Sequence, residues 1–254
     1  MNIRFAGGVI AVALIAGGYF LKDYFNPLVV PPSVPLPPAM SPEAVDIQLQ
    51  AEPVEAFKIV KSSFPEEYTA LTTELSVALK AGAGQIELAG ISQRAITALR
   101  QAHADEILSA PDDRLREIVT MSRDLHGAVL ANEGRAVCNR FAIGGPASLD
   151  GNTLGKFVEV LDAQGSAVLK AIVEGQTDAR PPSERASAAD WDAARAEAVT
   201  QGISQAQLDA LSTLDQADGD LCGGLIGLMG AFLAMDTPQG LRLRANYVRD
   251  LARN

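Results

Sequence analysis

Histidine and cysteine are scarce in this chain, with two of each among 254 residues. His103 stands near Asp105 and Glu106 on a charged segment, and His126 flanks an apolar stripe beside Asp124. Neither belongs to an H-E-x-x-H pattern, and no G-x-S-x-G or S-x-x-K sequence occurs, so the common signatures of hydrolases are missing. The sequence therefore predicts no catalytic residue, no cofactor and no metal site.

Aromatic residues and positive charge are also in short supply. Aromatics make up 5% of the chain, although 48% of it is hydrophobic. Alanine, leucine, valine and isoleucine carry that content, which favours packed helices over a β-sandwich. Lysine and arginine number 21 against 31 acidic residues, so the net charge is -10. Because such a surface repels phosphates, we expect no nucleic-acid partner.

One long run without charge lies near the N-terminus. The segment from Phe5 to Leu21 contains 17 uncharged residues and follows Arg4. As an α-helix it would rise roughly 25 Å, near the lower limit for spanning a bilayer. We therefore expect residues 1–25 to be a membrane anchor, with a cleaved signal peptide as the alternative. Positive charge before the run predicts a single-pass protein of the cytoplasmic (inner) membrane, with its N-terminus inside and its body periplasmic.

A proline-rich linker follows the predicted anchor. Residues 26–42 contain seven prolines, which fix φ and remove hydrogen-bond donors, so neither a helix nor a central strand can form there. An extended spacer of polyproline type is expected, and it would hold the following domain away from the bilayer.

Residues 43–254 carry repeated helix-start signals and no convincing alternation of period two. We expect starts near Ser41, Phe64, Ser92, Pro111, Thr153, Ser187, Ser204 and Thr237. Residues 175–186 are polar and include a proline pair, which predicts an internal loop. The predicted class is therefore all-α, a helical bundle-like extracytoplasmic domain after one transmembrane helix and the linker.

The segment from Leu221 to Met235 is apolar and rich in glycine. At helical spacing its bulky side chains form one stripe, and Gly223, Gly227, Gly230 and Ala234 form a smooth second one. The smooth stripe predicts close packing or docking of another helix. Three interpretations remain open: a central helix buried all round, a transmembrane or pore-forming hairpin helix, and a helix that docks onto a membrane partner.

The two cysteines, Cys138 and Cys222, lie 84 positions apart without a C-x-x-C motif. This spacing argues against zinc. In an oxidising compartment an even pair predicts a disulfide, and the alternative is a pair of buried free thiols.

The last predicted helix is basic for so acidic a chain. Among its charged residues, Arg242, Arg244, Arg249 and Arg253 are opposed by Asp250 alone. These arginines complement the helix dipole and pair with acidic neighbours in one interpretation. In the other they contact anionic lipid head groups or an acidic partner.

The sequence favours a membrane-anchored, non-catalytic envelope protein that binds another protein, as an accessory subunit or as an inhibitor of the immunity type. Two alternatives belong to other classes. One is an envelope hydrolase with an unrecognised site near His126, and the other is a membrane-perturbing or pore-associated protein that uses the segment from Leu221 to Met235.

Overall fold

The fold is known from a computed structural model, which describes residues 41–51, 54–177, 180–214 and 219–254. These residues form helices joined by short connections and contain no strand, so the all-α prediction is confirmed. The predicted anchor and most of the linker lie outside the described residues. No helix within the described ranges combines the length and apolarity needed to cross a membrane.

The helices range from 9 to 27 residues, and the longest are α5 and α7. They are α1 Pro42–Ala51, α2 Glu55–Ser63, α3 Pro65–Lys80, α4 Gln85–Ala102, α5 Asp112–Glu133, α6 Arg135–Gly144, α7 Gly151–Thr177, α8 Ala188–Thr200, α9 Gln205–Thr213, α10 Leu221–Ala234 and α11 Pro238–Arg253. Short 3₁₀ segments, Ala104–Ser109 and Gly145–Ser148, join α4 to α5 and α6 to α7.

Side-chain caps explain why several helices begin where the sequence predicts. The Ser187 hydroxyl accepts a hydrogen bond from the Asp190 backbone N–H, and the Asp190 carboxylate accepts one from the Ser187 backbone N–H, so the pair is a capping box. Ser204 and Gln207 form a second capping box at α9. At α11 the Thr237 hydroxyl accepts from Gly240 N at 3.2 Å. Each cap satisfies N–H groups that the first helical turn leaves unpaired.

Two helices begin before their predicted starts. α4 begins at Gln85, well ahead of Ser92, because the extended residue Gly84 serves as its N-cap and the helix continues through a later glycine. α7 begins at Gly151, and its cap is the Asp150 carboxylate, which accepts from Thr153 N at 3.0 Å. Thr153 therefore lies inside the helix that it was expected to cap.

The predicted loop 175–186 starts later in the structure, because α7 continues to Thr177. Gly175 is buried within that helix, and a Cβ there would overlap the backbone carbonyl of Glu106 in the 3₁₀ segment. The glycine therefore permits a close approach between two elements. The sequence alone predicts a loop at this position because glycine is common both in loops and at close contacts between elements.

The core centres on α5, α7 and α10. α7 packs on α5, on α2 and on the 3₁₀ segment Ala104–Ser109, and α10 packs on α5, α6, α8, α9 and α11. The main apolar cluster includes residues from both sides of the loop after α7, from Val45 to Ala252. A second cluster joins α5, α6 and α7 around Phe141 and Phe157. This arrangement leaves one face of α10 directed toward α9 and α11.

Candidate functional site

An open apolar pocket of about 140 Å³ lies where α10 meets α6, α8, α9 and α11. Its floor is the bulky stripe of α10, which contributes Leu221, Leu225, Leu228 and Phe232. The remaining lining comes from the other helices: Ala142, Ile143, Trp191, Leu211, Leu214, Tyr247, Asp250, Leu251 and Asn254. Leu214 is 36% exposed, which places it at the mouth.

The first turn of α10 is held in place by Asp220. One oxygen of its carboxylate accepts from the Gly223 backbone N–H at 3.0 Å, which caps the helix. The other oxygen accepts from Gln207 Nε2 at 2.7 Å. The same side chain therefore caps α10 and joins it to α9, so the two walls of the pocket that these helices form are fixed relative to each other.

The predicted smooth stripe of α10 lies on the side of the helix that faces the α8–α9 turn. Gly227 lies against the Ile203 side chain, and Gly230 has the Gln201 side-chain oxygen 3.1 Å from the position of an added Cβ. Gly223 faces the capping Asp220. Ala234 is exposed.

Among the glycines of α10, Gly224 is the one whose Cβ would meet a neighbouring backbone atom, and the predicted stripe did not include it. A Cβ there would lie 2.6 Å from the Gln207 carbonyl oxygen and 3.1 Å from the Leu211 side chain. Gly224 therefore lets α9 pack close enough for Leu211 to line the pocket.

Three aromatic rings form one wall of the pocket. The centroids of Trp191 and Phe232 are 5.6 Å apart in an edge-on arrangement, and those of Phe232 and Tyr247 are 6.1 Å apart. Such separations are typical of favourable aromatic pairs. The Tyr247 hydroxyl is buried, and burial raises its pKa to about 12. The nearby Ser122 hydroxyl lowers the pKa of Tyr247 and so opposes this shift. The two hydroxyls do not form a hydrogen bond in the structure.

An ion pair holds α8, and with it Trp191, on α11. Arg242 donates to both carboxylate oxygens of Asp190, at 2.7 and 3.0 Å. The Arg242 guanidinium and the hydrogen bonds from Ser187 lower the pKa of Asp190 to about 2. A bidentate pair of this kind fixes orientation as well as distance. The capping box that the sequence indicated therefore also positions the aromatic wall.

The predicted disulfide between Cys138 and Cys222 is present and lies beneath the pocket. The two Cα atoms are 5.6 Å apart, and both residues are fully buried. The bridge joins α6 to the first turn of α10. Beside it, the Asn139 side chain accepts from Cys222 N at 3.0 Å and donates to the Gly219 carbonyl at 2.8 Å. The floor and the α6 wall of the pocket are thus covalently joined.

Among the described residues that line the pocket, the charged one is Asp250, and Asn254 adds a polar side chain beside it. Arg249 donates to Asp250 Oδ1 at 2.8 and 3.1 Å. The arginine side chain is 8% exposed, whereas that of the aspartate is 56% exposed. Asn254 donates to the Asp250 backbone carbonyl at 2.7 Å. The surface at the mouth therefore presents the carboxylate more than the guanidinium.

All four arginines singled out in α11 pair with carboxylates of the same chain. Their partners are Asp190 for Arg242, Asp112 for Arg244, Asp250 for Arg249 and Asp105 for Arg253, each with an N–O distance of 2.7 or 2.8 Å. These contacts are those expected if the arginines pair with acidic neighbours. A contact with anionic lipid or an acidic partner stays a prediction, and it would have to compete with the internal pairs.

The two histidines lie away from the pocket. His126 is 1% exposed, and its Nδ1 is 2.7 Å from the Ser122 carbonyl oxygen. Burial lowers the pKa of His126 to about 4, so the ring is neutral at pH 7. His103 is partly exposed and lies 3.1 Å from Glu106. Among the described residues, no group of three His, Cys, Asp or Glu side chains is arranged to hold a metal ion.

Comparisons of the chain with protein-family models, with curated proteins and with solved structures find no match.

Proposed function

We propose that this protein is a membrane-anchored, non-catalytic envelope protein whose pocket binds a bulky apolar side chain of a partner protein. The observation that carries the proposal is the pocket itself: its lining is mainly leucine and aromatic carbon, and its charged lining residue is Asp250 at the mouth. General acid–base catalysis needs a titratable group positioned to exchange a proton with a substrate, whereas the lining carboxylate, Asp250, is paired with Arg249. An apolar pocket with a polar rim suits binding instead.

The size of the pocket supports an occupant no larger than one side chain. A volume of about 140 Å³ resembles that of a buried cavity that accepts benzene. A phenylalanine, leucine or methionine side chain would fit. Burying one contributes about 1.5–3 kcal/mol, which is too little for a stable complex, so a partner must also contact the surface around the mouth.

A protein partner, as opposed to a free metabolite, is favoured by the expected tether. The uncharged run from Phe5 to Leu21 and the prolines of residues 26–42 suit a domain held at a set distance from a membrane. A tethered domain meets membrane-bound and envelope proteins at a raised effective concentration. Both an accessory subunit and an inhibitor of the immunity type fit this arrangement.

The alternatives have less support from the described residues. A hydrolase based on His126 would need an accessible base, and this ring is buried, neutral and hydrogen-bonded to a backbone carbonyl. A pore-associated role for the segment from Leu221 to Met235 would require its bulky stripe to leave the core, where Leu221, Leu228 and Phe232 are buried.

Photo-cross-linking in cells tests the proposal. A photoreactive phenylalanine derivative is placed at Leu214 on the pocket mouth or, as a control, at Ile47, which is exposed on α1 and does not line the pocket. We expect one partner captured at Leu214 and lost when Leu225→Trp fills the pocket. Capture that survives Leu225→Trp in a variant with an unchanged melting temperature would place the partner elsewhere and refute the pocket as its site.

A further inference from the structure

We propose that the pocket selects a partner segment in which the apolar side chain stands next to a lysine or arginine. This inference rests on the proposed function and adds the charge of the partner. Its basis is the electrostatic character of the pocket mouth, where the part of the chain that the structure describes places the exposed Asp250 carboxylate and the carboxyl ends of three helices.

The carboxylate is that of Asp250. Its Oδ1 accepts both hydrogen bonds from Arg249, while Oδ2 has no partner among the described residues. The aspartate side chain is 56% exposed and the arginine 8%. A cation arriving at the mouth would therefore meet a free carboxylate oxygen before it met the buried guanidinium.

The helix ends add negative potential. Ile143 lies at the end of α6, Leu214 is the C-cap of α9, and Asn254 follows the last turn of α11, and all three line the pocket. The C-terminal end of a helix dipole carries a partial negative charge that favours cations. At α11 the Asp250 and Arg253 carbonyls also accept hydrogen bonds, from Asn254 and Gln101, which reduces the contribution of that helix. The N-terminus of α10 opposes them, but the Asp220 carboxylate already caps it.

The net charge of the whole chain also favours a basic partner. A net charge of -10 attracts basic segments from a distance and repels acidic ones, which raises the rate of encounter with a basic partner. The net negative charge and the pocket mouth both favour a basic residue in the partner, while the leucine and aromatic lining favours an apolar side chain. A basic residue beside an apolar anchor satisfies both.

Two matched peptides test the inference on the full chain in phosphatidylcholine nanodiscs. They are acetyl-Gly-Lys-Phe-Lys-Gly-amide and acetyl-Gly-Glu-Phe-Glu-Gly-amide, each with the same uncharged fluorophore, and binding is measured by fluorescence anisotropy at low salt. We expect the lysine peptide to bind about tenfold more tightly, since the carboxylate and the helix ends each favour a cation by a few-fold. The preference should shrink as salt is added.

Asp250→Asn should reduce the preference to about half or less of its value. The control is Asp124→Asn, because Asp124 is 60% exposed and is paired with Arg123 at 2.8 Å, as Asp250 is with Arg249, but does not line the pocket. Both substitutions change the net charge equally. An equal loss of preference in the two variants would assign the effect to net charge and overturn the role of the mouth.

The outcomes separate this inference from the proposed function. If both peptides bind equally, and Leu225→Trp abolishes both, the pocket binds apolar side chains but the charge selection is wrong. If both peptides bind and Leu225→Trp changes nothing, the pocket is not the binding site and the proposed function fails as well. If neither peptide binds at millimolar concentration, the charge selection is overturned, whereas the proposed function is decided by cross-linking at Leu214, because one side chain alone contributes too little for a stable complex. Phenethylamine added as a competitor should displace the lysine peptide only at much higher concentration, and equal affinity for it would indicate a small-amine site instead of a protein-binding site.

Discussion

Replacing Gly224 by alanine tests the packing that shapes the pocket. The new Cβ would lie 2.6 Å from the Gln207 carbonyl oxygen, a backbone atom held by the first turn of α9. α9 would have to move, and overpacking of this kind costs about 1–3 kcal/mol. Alanine recovers up to about 1 kcal/mol of helix propensity. We therefore expect the free energy of unfolding to fall by about 1–2 kcal/mol.

Gly230→Ala is the matched control within the same helix. Its nearest contact is the Gln201 side-chain oxygen at 3.1 Å, which is flexible and can move. That variant should keep the propensity gain and be up to about 1 kcal/mol more stable than the parent. Urea unfolding followed by the fluorescence of Trp191, the single tryptophan, measures both. Equal unfolding free energies for the two variants would refute a close approach at Gly224.

Other predictions concern buried charges and the disulfide. Arg100 is fully buried and has no hydrogen-bond partner within the described part of the chain. Burial lowers its pKa to about 10, so it is still charged at pH 7. Arg100→Met should therefore raise the free energy of unfolding by about 1–3 kcal/mol and with it the melting temperature, whereas exposed Arg94→Met should change neither. A lower free energy of unfolding for Arg100→Met would mean that the guanidinium has an anionic partner. Burial and the nearby Glu55 raise the pKa of Asp162 from 3.8 to about 6. Stability should accordingly rise as the pH falls from 6 to 4, by at most about 3 kcal/mol, and Asp162→Asn should be more stable at pH 7 and lack this rise; an unchanged pH profile would contradict it. Reducing the bridge across 84 positions should cost about 4–5 kcal/mol in the chain-entropy model, and a reduced protein with an unchanged urea midpoint would contradict this.

Helix starts and buried stripes were predictable because they depend on neighbours in the sequence. The capping boxes at Ser187 and Ser204 need residues three positions apart, and the apolar face of α5 needs only helical spacing. The functions of individual glycines were not predictable in this way. Gly175 and Gly224 both permit close packing against a backbone that lies far along the chain or in another helix, and no local pattern identifies that partner.

The pocket was partly visible in the sequence. The sequence indicated the bulky stripe of α10, although not that it lines a pocket, and the even pair of cysteines predicted the bridge between α6 and α10. The aromatic wall was missed, because Trp191 and Tyr247 belong to helices whose contact depends on the pairing of Asp190 with Arg242. The one available signal was the capping box directly before the single tryptophan, which fixes where α8 begins.

The exposure pattern of α10 argues for binding over a purely structural role. A central helix should be covered on every side, and the sequence left that interpretation open. In the structure Leu221, Leu228 and Phe232 are buried, but Leu225 between them remains partly exposed on the floor of an open pocket. Leaving apolar surface uncovered costs about 25 cal/mol per Å² relative to burying it. A disulfide, a capping aspartate and an ion pair fix the positions of the helices around that surface, which is the arrangement expected of a preformed site that a partner's side chain completes.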